Sequence, residues 1–222
     1  MSVASGSSQV TPWLYWTLFP IHRAFLRVYF SGIEIQGTEH LPVEGPVVLA
    51  AKHFSRWDPL VLSLLSRQPL RFMTNANQFA GVQGWFIKRL GAFPIDLAKP
   101  QLASLRHTIE LLQQGHKLVL FPEGGIVRDR PLRDLKPGLA RLVLQAEGGS
   151  KEPLTIPIVP IALRYVPDAM GGARILIHIG SPLYSRDYRG RTDKETAQSL
   201  TQALQTALLQ GLSLLNGAEP SE

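Results

Sequence analysis

The sequence predicts a single three-layer α/β domain, a mixed central sheet flanked by helices, with an amphipathic helical segment in front of it. Apolar runs of strand length alternate with segments of helical period along the whole chain. No linker divides them, no repeat is visible, and 222 residues are enough for one substantial core. The least ordinary side chains, His53, Asp58 and Glu123, fall in turns that follow predicted strands, where folds of this class keep their sites.

The front segment is residues 1–30 and the domain proper is residues 31–222. The serine-rich first ten residues are expected to be disordered. Pro12 opens a helical piece to Phe19, and a second runs from Ile21 to Phe30, with a break or kink at Pro20. Trp13, Tyr15, Trp16 and Tyr29, beside Arg23 and Arg27, suggest helices lying in a lipid headgroup layer; packing on the protein's own core is the alternative. Ile33 to Gly37 alternates as a short edge strand, and Pro46 to Ala51 reads as a buried one. A helix should run from Pro59 to about Arg67, a strand over Arg71 to Thr74, short helices between Asn75 and Lys88, and a strand over Ala92 to Asp96. Leu102, Leu105, Ile109 and Leu112 mark a helix within Pro100 to Gln114, ended by Gly115. Lys117 to Phe121 is a strand and Pro137 to Glu147 a helix. Ile156 to Leu163 is extended, and its prolines argue against a central, fully paired position. A strand over Arg174 to Ile179 and a long helix with Leu200, Leu204, Leu208 and Leu212 in one stripe complete the chain.

A formal charge of +6 fits an anionic partner. The basic residues are dispersed and the aromatics gather in the front segment, so nucleic acid is not the expected one. The chain has no cysteine, which excludes disulfides, thiolate metal sites and cysteine nucleophiles. No metal and no resident cofactor are expected. Nothing approaches the roughly 18 to 20 uninterrupted apolar residues of a membrane span, and the first residues lack the basic start of a cleaved signal peptide. A serine hydrolase would need a Gly-x-Ser-x-Gly elbow, which is missing.

The chemistry concentrates in two turns. In Lys52-His53-Phe54-Ser55-Arg56-Trp57-Asp58-Pro59, a histidine and an aspartate five positions apart leave a buried strand and enter a helix. That suits a general base and the carboxylate that orients it. It also suits Asp58 as a helix N-cap before proline, with His53 simply half-buried. The second turn, Phe121-Pro122-Glu123-Gly124-Gly125, lets backbone N–H groups approach an anion closely. Arg128, Arg130, Arg133, Lys136 and Arg141 follow it, and such a cluster beside a Gly-Gly elbow favours a phosphate site over a merely solvated loop.

These residues carry a resemblance. His53-Phe-Ser-Arg-Trp-Asp58 is similar to the His-x-x-x-x-Asp signature of the glycerolipid acyltransferases, and Phe121-Pro122-Glu123-Gly124 to their Phe-Pro-Glu-Gly block. Gly91 to Asp96 and Ile158 to Ala162 resemble the family's glycerol-phosphate and late proline blocks, in the family's order. The pattern most resembles the 1-acylglycerol-3-phosphate acyltransferases. The resemblance implies direct acyl transfer from a thioester, coenzyme A or acyl carrier protein, to the free hydroxyl of a lysophospholipid. His53 and Asp58 would be catalytic, and Glu123, Gly124, Gly125, Arg128, Lys136 and Lys99 would bind substrate. Amides near the His53 loop or near Gly124 and Gly125 would hold the thioester oxyanion. The expected location is peripheral or monotopic on the cytoplasmic face of a membrane. Two positions depart from the pattern: Leu97 stands where an arginine usually grips the acceptor phosphate, and Arg128 comes two residues later than its counterpart. Lys99 or Arg106 is the candidate substitute for the first. Another lysolipid or alcohol acceptor, or a non-catalytic lipid-binding relative, are the alternatives.

Overall fold

In a computed structural model that describes residues 9–95 and 102–217, seven strands form one sheet in the order β1-β7-β6-β2-β5-β3-β4. The strands are β1 (Gly32–Gln36), β2 (Val47–Ala51), β3 (Arg71–Asn75), β4 (Ala92–Ile95), β5 (Lys117–Leu120), β6 (Ile158–Val166) and β7 (Arg174–Ile179). All neighbours pair in parallel except β6 and β7, so the sheet is mixed, as expected. The helices are α1 (Pro12–Tyr29), α2 (Asp58–Leu62), α3 (Gly81–Arg89), α4 (Leu102–Gln113), α5 (Gly138–Gly148) and α6 (Asp193–Gly217).

Strand β2 shows why the domain has three layers. Every residue in it is buried, because its alternating side chains serve two cores. Val47, Leu49 and Ala51 face the side occupied by Leu26 and Phe30 of the front segment and by Val61 and Leu62 of α2. Val48 and Ala50 face Leu111 and Leu112 of α4, Val143 of α5, and Leu200, Leu204 and Leu208 of α6. The leucine stripe read from the sequence is therefore the inner face of α6.

Three expectations are corrected. Residues 12–29 form one helix, not two, with Pro20 inside it. Pro20 and Trp16 are both exposed, so the intrahelical bond that proline removes is lost where water can replace it. This helix is also part of the core: Leu14, Tyr15 and Leu26 are buried, as is Phe30 at its C-terminal end. Residues 12–30 thus contribute side chains to the core. Second, Pro160 lies in β6, an interior strand. Ladder bonds alternate sides along β6: Val48 N–H donates to Pro157 and Lys52 N–H to Ile161 on the β2 side, whereas Gly180 N–H donates to Pro160 on the β7 side. The missing N–H of Pro160 therefore faces Gly180, just past the end of β7, so the bond it costs is at the last pair of that ladder and not in its middle. Third, α2 stops at Leu62 and continues only as a 3₁₀ turn over Ser63–Leu65.

Strands β2, β5 and β6 run in one direction, so the segments after Ala51, Leu120 and Val166 leave the sheet at the same end. This places the two chemically unusual turns side by side.

Candidate active site

His53 and Asp58 meet as their spacing predicts. His53 Nδ1 lies 2.8 Å from Asp58 Oδ2, and the imidazole stacks on Phe121 at 3.9 Å between centroids. Asp58 is fully buried whereas the His53 side chain keeps 17% of its exposure, so the pair points from the core towards the surface. The carboxylate selects the tautomer with its proton on Nδ1, which leaves Nε2 as the basic nitrogen.

Asp58 is not the N-cap that its place before Pro59 suggests; Trp57 occupies that position and Asp58 is the first helical residue. Its carboxylate turns back instead. Oδ2 accepts from Phe54 N–H at 2.7 Å and Ser55 N–H at 2.8 Å as well as from the imidazole. Oδ1 accepts from the hydroxyl of Tyr165 at 2.8 Å. A buried carboxylate needs such donors, since an unpaired one would be expelled or neutralised.

Glu123 was expected at the substrate, and the structure places it beneath the loop. Both oxygens lie 3.0 Å from the ammonium of Lys52, one accepts from His53 N–H at 3.0 Å, and the other from Arg133 N–H at 3.1 Å. Its side chain is fully buried. Lys52 also donates to Val127 O at 2.7 Å, while Val127 N–H donates to His53 O. The turn after β5 is thereby stitched to the His53 loop through a buried ion pair. Lys52 was missed as a functional residue although a signal was present. A lysine that ends a wholly apolar strand needs a buried anion, and Glu123 leaves the neighbouring strand. Tyr165 offered no such signal, because nothing in the spacing links it to Asp58 across 107 positions.

The other expected residues separate. Gly124 takes the left-handed conformation, φ +72°, and donates its N–H to Phe121 O. With Phe54 N–H and Ser55 N–H held by Asp58 and His53 N–H by Glu123, most of the amides proposed for an oxyanion are engaged. Gly125 is not engaged among the described residues, and its Cα faces open space. Arg128 lies against the site: Nε donates to Phe54 O at 3.1 Å, and the guanidinium sits 5.2 Å from the Phe54 ring. Lys136 is exposed just before α5, and Arg106 is exposed on α4. Lys99, Leu97 and Asp96 lie outside the described residues. Ser55 is buried, and its hydroxyl accepts from Trp57 N–H, a turn role rather than that of a nucleophile. No group of histidine, aspartate and glutamate among the described residues is arranged to hold a metal.

A strand-end histidine held by a buried carboxylate is an arrangement suited to proton transfer. A sequence model of the Acyltransferase family matches residues 32–164, and the chain belongs to that family. The 1-acyl-sn-glycerol-3-phosphate acyltransferase of Bacillus subtilis is 26% identical over 181 residues, 78% of this chain and 85% of that one. The chloroplastic 1-acyl-sn-glycerol-3-phosphate acyltransferase BAT2 of Brassica napus is 30% identical over 72% of this chain, which spans about half (48%) of the relative. The fold is similar to the crystal structure of the 1-acyl-sn-glycerophosphate acyltransferase PlsC from Thermotoga maritima, with TM-score 0.73, 18% identity, and 94% and 81% of the two chains covered. The protein is an acyltransferase.

The buried ion pair makes a prediction that separates a structural from a substrate role. Glu123→Gln leaves the Lys52 ammonium buried without a counter-charge and should cost about 3–5 kcal/mol in urea unfolding. An unfolding curve that coincides with wild type, together with a raised KM, would return Glu123 to the substrate.

Proposed function

We propose that the enzyme transfers a fatty acyl group from an acyl thioester to the free hydroxyl of a lysophospholipid, 1-acylglycerol-3-phosphate, to give phosphatidate. The observation that carries this reading is the 2.8 Å contact between His53 Nδ1 and the fully buried Asp58, which leaves Nε2 as the base. The names of the relatives and the four blocks in order support the acceptor.

His53 Nε2 removes the hydroxyl proton as the acceptor oxygen attacks the thioester carbonyl, while Asp58 stabilises the imidazolium that forms. The tetrahedral oxyanion collapses with expulsion of the thiolate, and the imidazolium returns its proton to that sulfur. No acyl-enzyme is needed. Gly125 N–H is the backbone donor for the oxyanion that the surrounding bonds leave open. Arg128, tethered to Phe54 O one residue from His53, is the best-placed cation for the acceptor phosphate. Lys136 and Lys99 add positive charge, and coenzyme A and acyl carrier protein both suit a basic surface.

The reaction also needs a lipid surface, and α1 supplies one. Trp13, Trp16, Ile21 and Val28 are exposed on it, although Leu14, Tyr15 and Leu26 are core. Val82, Trp85 and Phe86 of α3 are exposed as well, and the two helices are joined where Thr11 N–H donates to Arg89 O. Among the described residues no helix is long and apolar enough to cross a membrane. The proposed position is peripheral, on the cytoplasmic face, with α1 and α3 in the headgroup layer.

Purified enzyme supplied with a long-chain acyl thioester and a panel of acceptors tests the chemistry and the acceptor together. His53→Ala should lower kcat at least about 100-fold while lipid binding persists. Arg128→Ala should raise KM for lysophosphatidate more than for an acceptor without phosphate. Undiminished turnover in His53→Ala would exclude this mechanism, and no turnover of any lysophospholipid by wild type would exclude the acceptor class. For the surface, Trp13→Ser and Trp16→Ser should each weaken binding to anionic vesicles by about tenfold or more, the scale of burying one large apolar side chain. Unchanged binding in the double variant would move the lipid contact elsewhere.

A further inference from the structure

Asp58 has two oxygens, and only one of them meets the histidine. The other is held by a residue from a distant part of the chain. Tyr165 is in the last turn of the β6 ladder, opposite Ile175 of β7, where β6 extends beyond the end of β2. Its ring is 2% exposed, stacked at 5.7 Å on Phe54 and tilted at 5.8 Å against Phe30. Its hydroxyl lies 2.8 Å from Asp58 Oδ1. We propose that Tyr165 is the positioning residue of the catalytic pair, fixing the plane of the Asp58 carboxylate so that Oδ2 stays aimed at His53 Nδ1.

The bonding around Asp58 shows what the hydroxyl adds. Three donors converge on Oδ2: the imidazole and the amides of Phe54 and Ser55. They fix the position of one oxygen, but a carboxylate held at one oxygen still swings about it. The Tyr165 bond on Oδ1 removes that freedom. A phenol has one proton to give and no other charged partner here, so the direction of the bond is unambiguous. Burial and the adjacent Asp58 charge push the phenol well above its ordinary range, and it remains a donor at any pH the protein meets. Because its ring packs between Phe30 and Phe54, the hydroxyl's place is fixed by the core, independently of substrate.

This inference rests on His53 and Asp58 as the reacting pair and is indifferent to the acceptor. Tyr165→Phe deletes one O–H and keeps the ring. It should lower kcat about tenfold, the scale of one hydrogen bond to a charged group, with KM changed less than about twofold. The decisive arm places the same change in an Asp58→Ala background, where the hydroxyl has no carboxylate to hold. There Tyr165→Phe should have no further effect on kcat. A fall by the same factor in both backgrounds would show that the tyrosine acts through general packing, and a wild-type kcat in the single variant would equally overturn the proposal. If Tyr165→Trp is also made and does not fold, the Phe variant still decides, since it loses no packing volume. Failure of the underlying reading is separate, since it would appear as full activity in Asp58→Ala itself.

Discussion

The structure depends on one buried carboxylate. Asp58 has no exposure, and four donors surround its carboxylate: an imidazole, two backbone amides and a phenol. Those four donors come from two places in the chain, the loop of His53 to Ser55 and Tyr165 in β6, so satisfying the carboxylate brings both to the start of α2. The loop after β2 is wound into a tight turn about Oδ2, the imidazole is fixed in tautomer and direction, and the end of β6 is tied to the entrance of α2. A second buried charge pair, Lys52 with Glu123, does the same for the turn after β5. Polar groups that are costly to bury are here the parts that specify one geometry.

The layers around the sheet tie the site to the helix in front of it. On the face covered by α1, Trp57 of the catalytic loop lies 4.8 Å from Tyr29, 5.7 Å from Phe30 and 6.0 Å from Phe25. The same helix exposes Trp13, Ile21 and Val28 on its outer side. The helix therefore links exposed apolar side chains to the loop that holds His53. Residues 12–30 are thus part of the core while exposing apolar side chains, which the aromatic pattern alone did not separate.

Much of this was legible in the sequence, for reasons that particular residues make plain. The alternation of apolar strands and leucine-striped helices yields the fold class directly, and the stripe in α6 is buried as read. His53 and Asp58 were legible because local spacing places them in one turn. The purpose of Glu123 was not, because a carboxylate after a strand reads alike whether it meets a ligand or a buried lysine. Tyr165 was invisible for the same reason that Pro160 misled: both depend on which strands are neighbours. Strand order is a three-dimensional fact that no local pattern carries. The continuity of α1 through Pro20 was missed because proline's cost falls when the freed carbonyl faces solvent.

The central claim is that Asp58 sets His53 in the Nδ1-protonated tautomer, with Nε2 free to act as base. Long-range proton–nitrogen NMR of histidine-labelled protein, recorded at alkaline pH, reads that tautomer directly. The expected spectrum has the His53 proton on Nδ1 in wild type, and a mixed or reversed tautomer in Asp58→Ala. A wild-type His53 protonated on Nε2 would contradict the account.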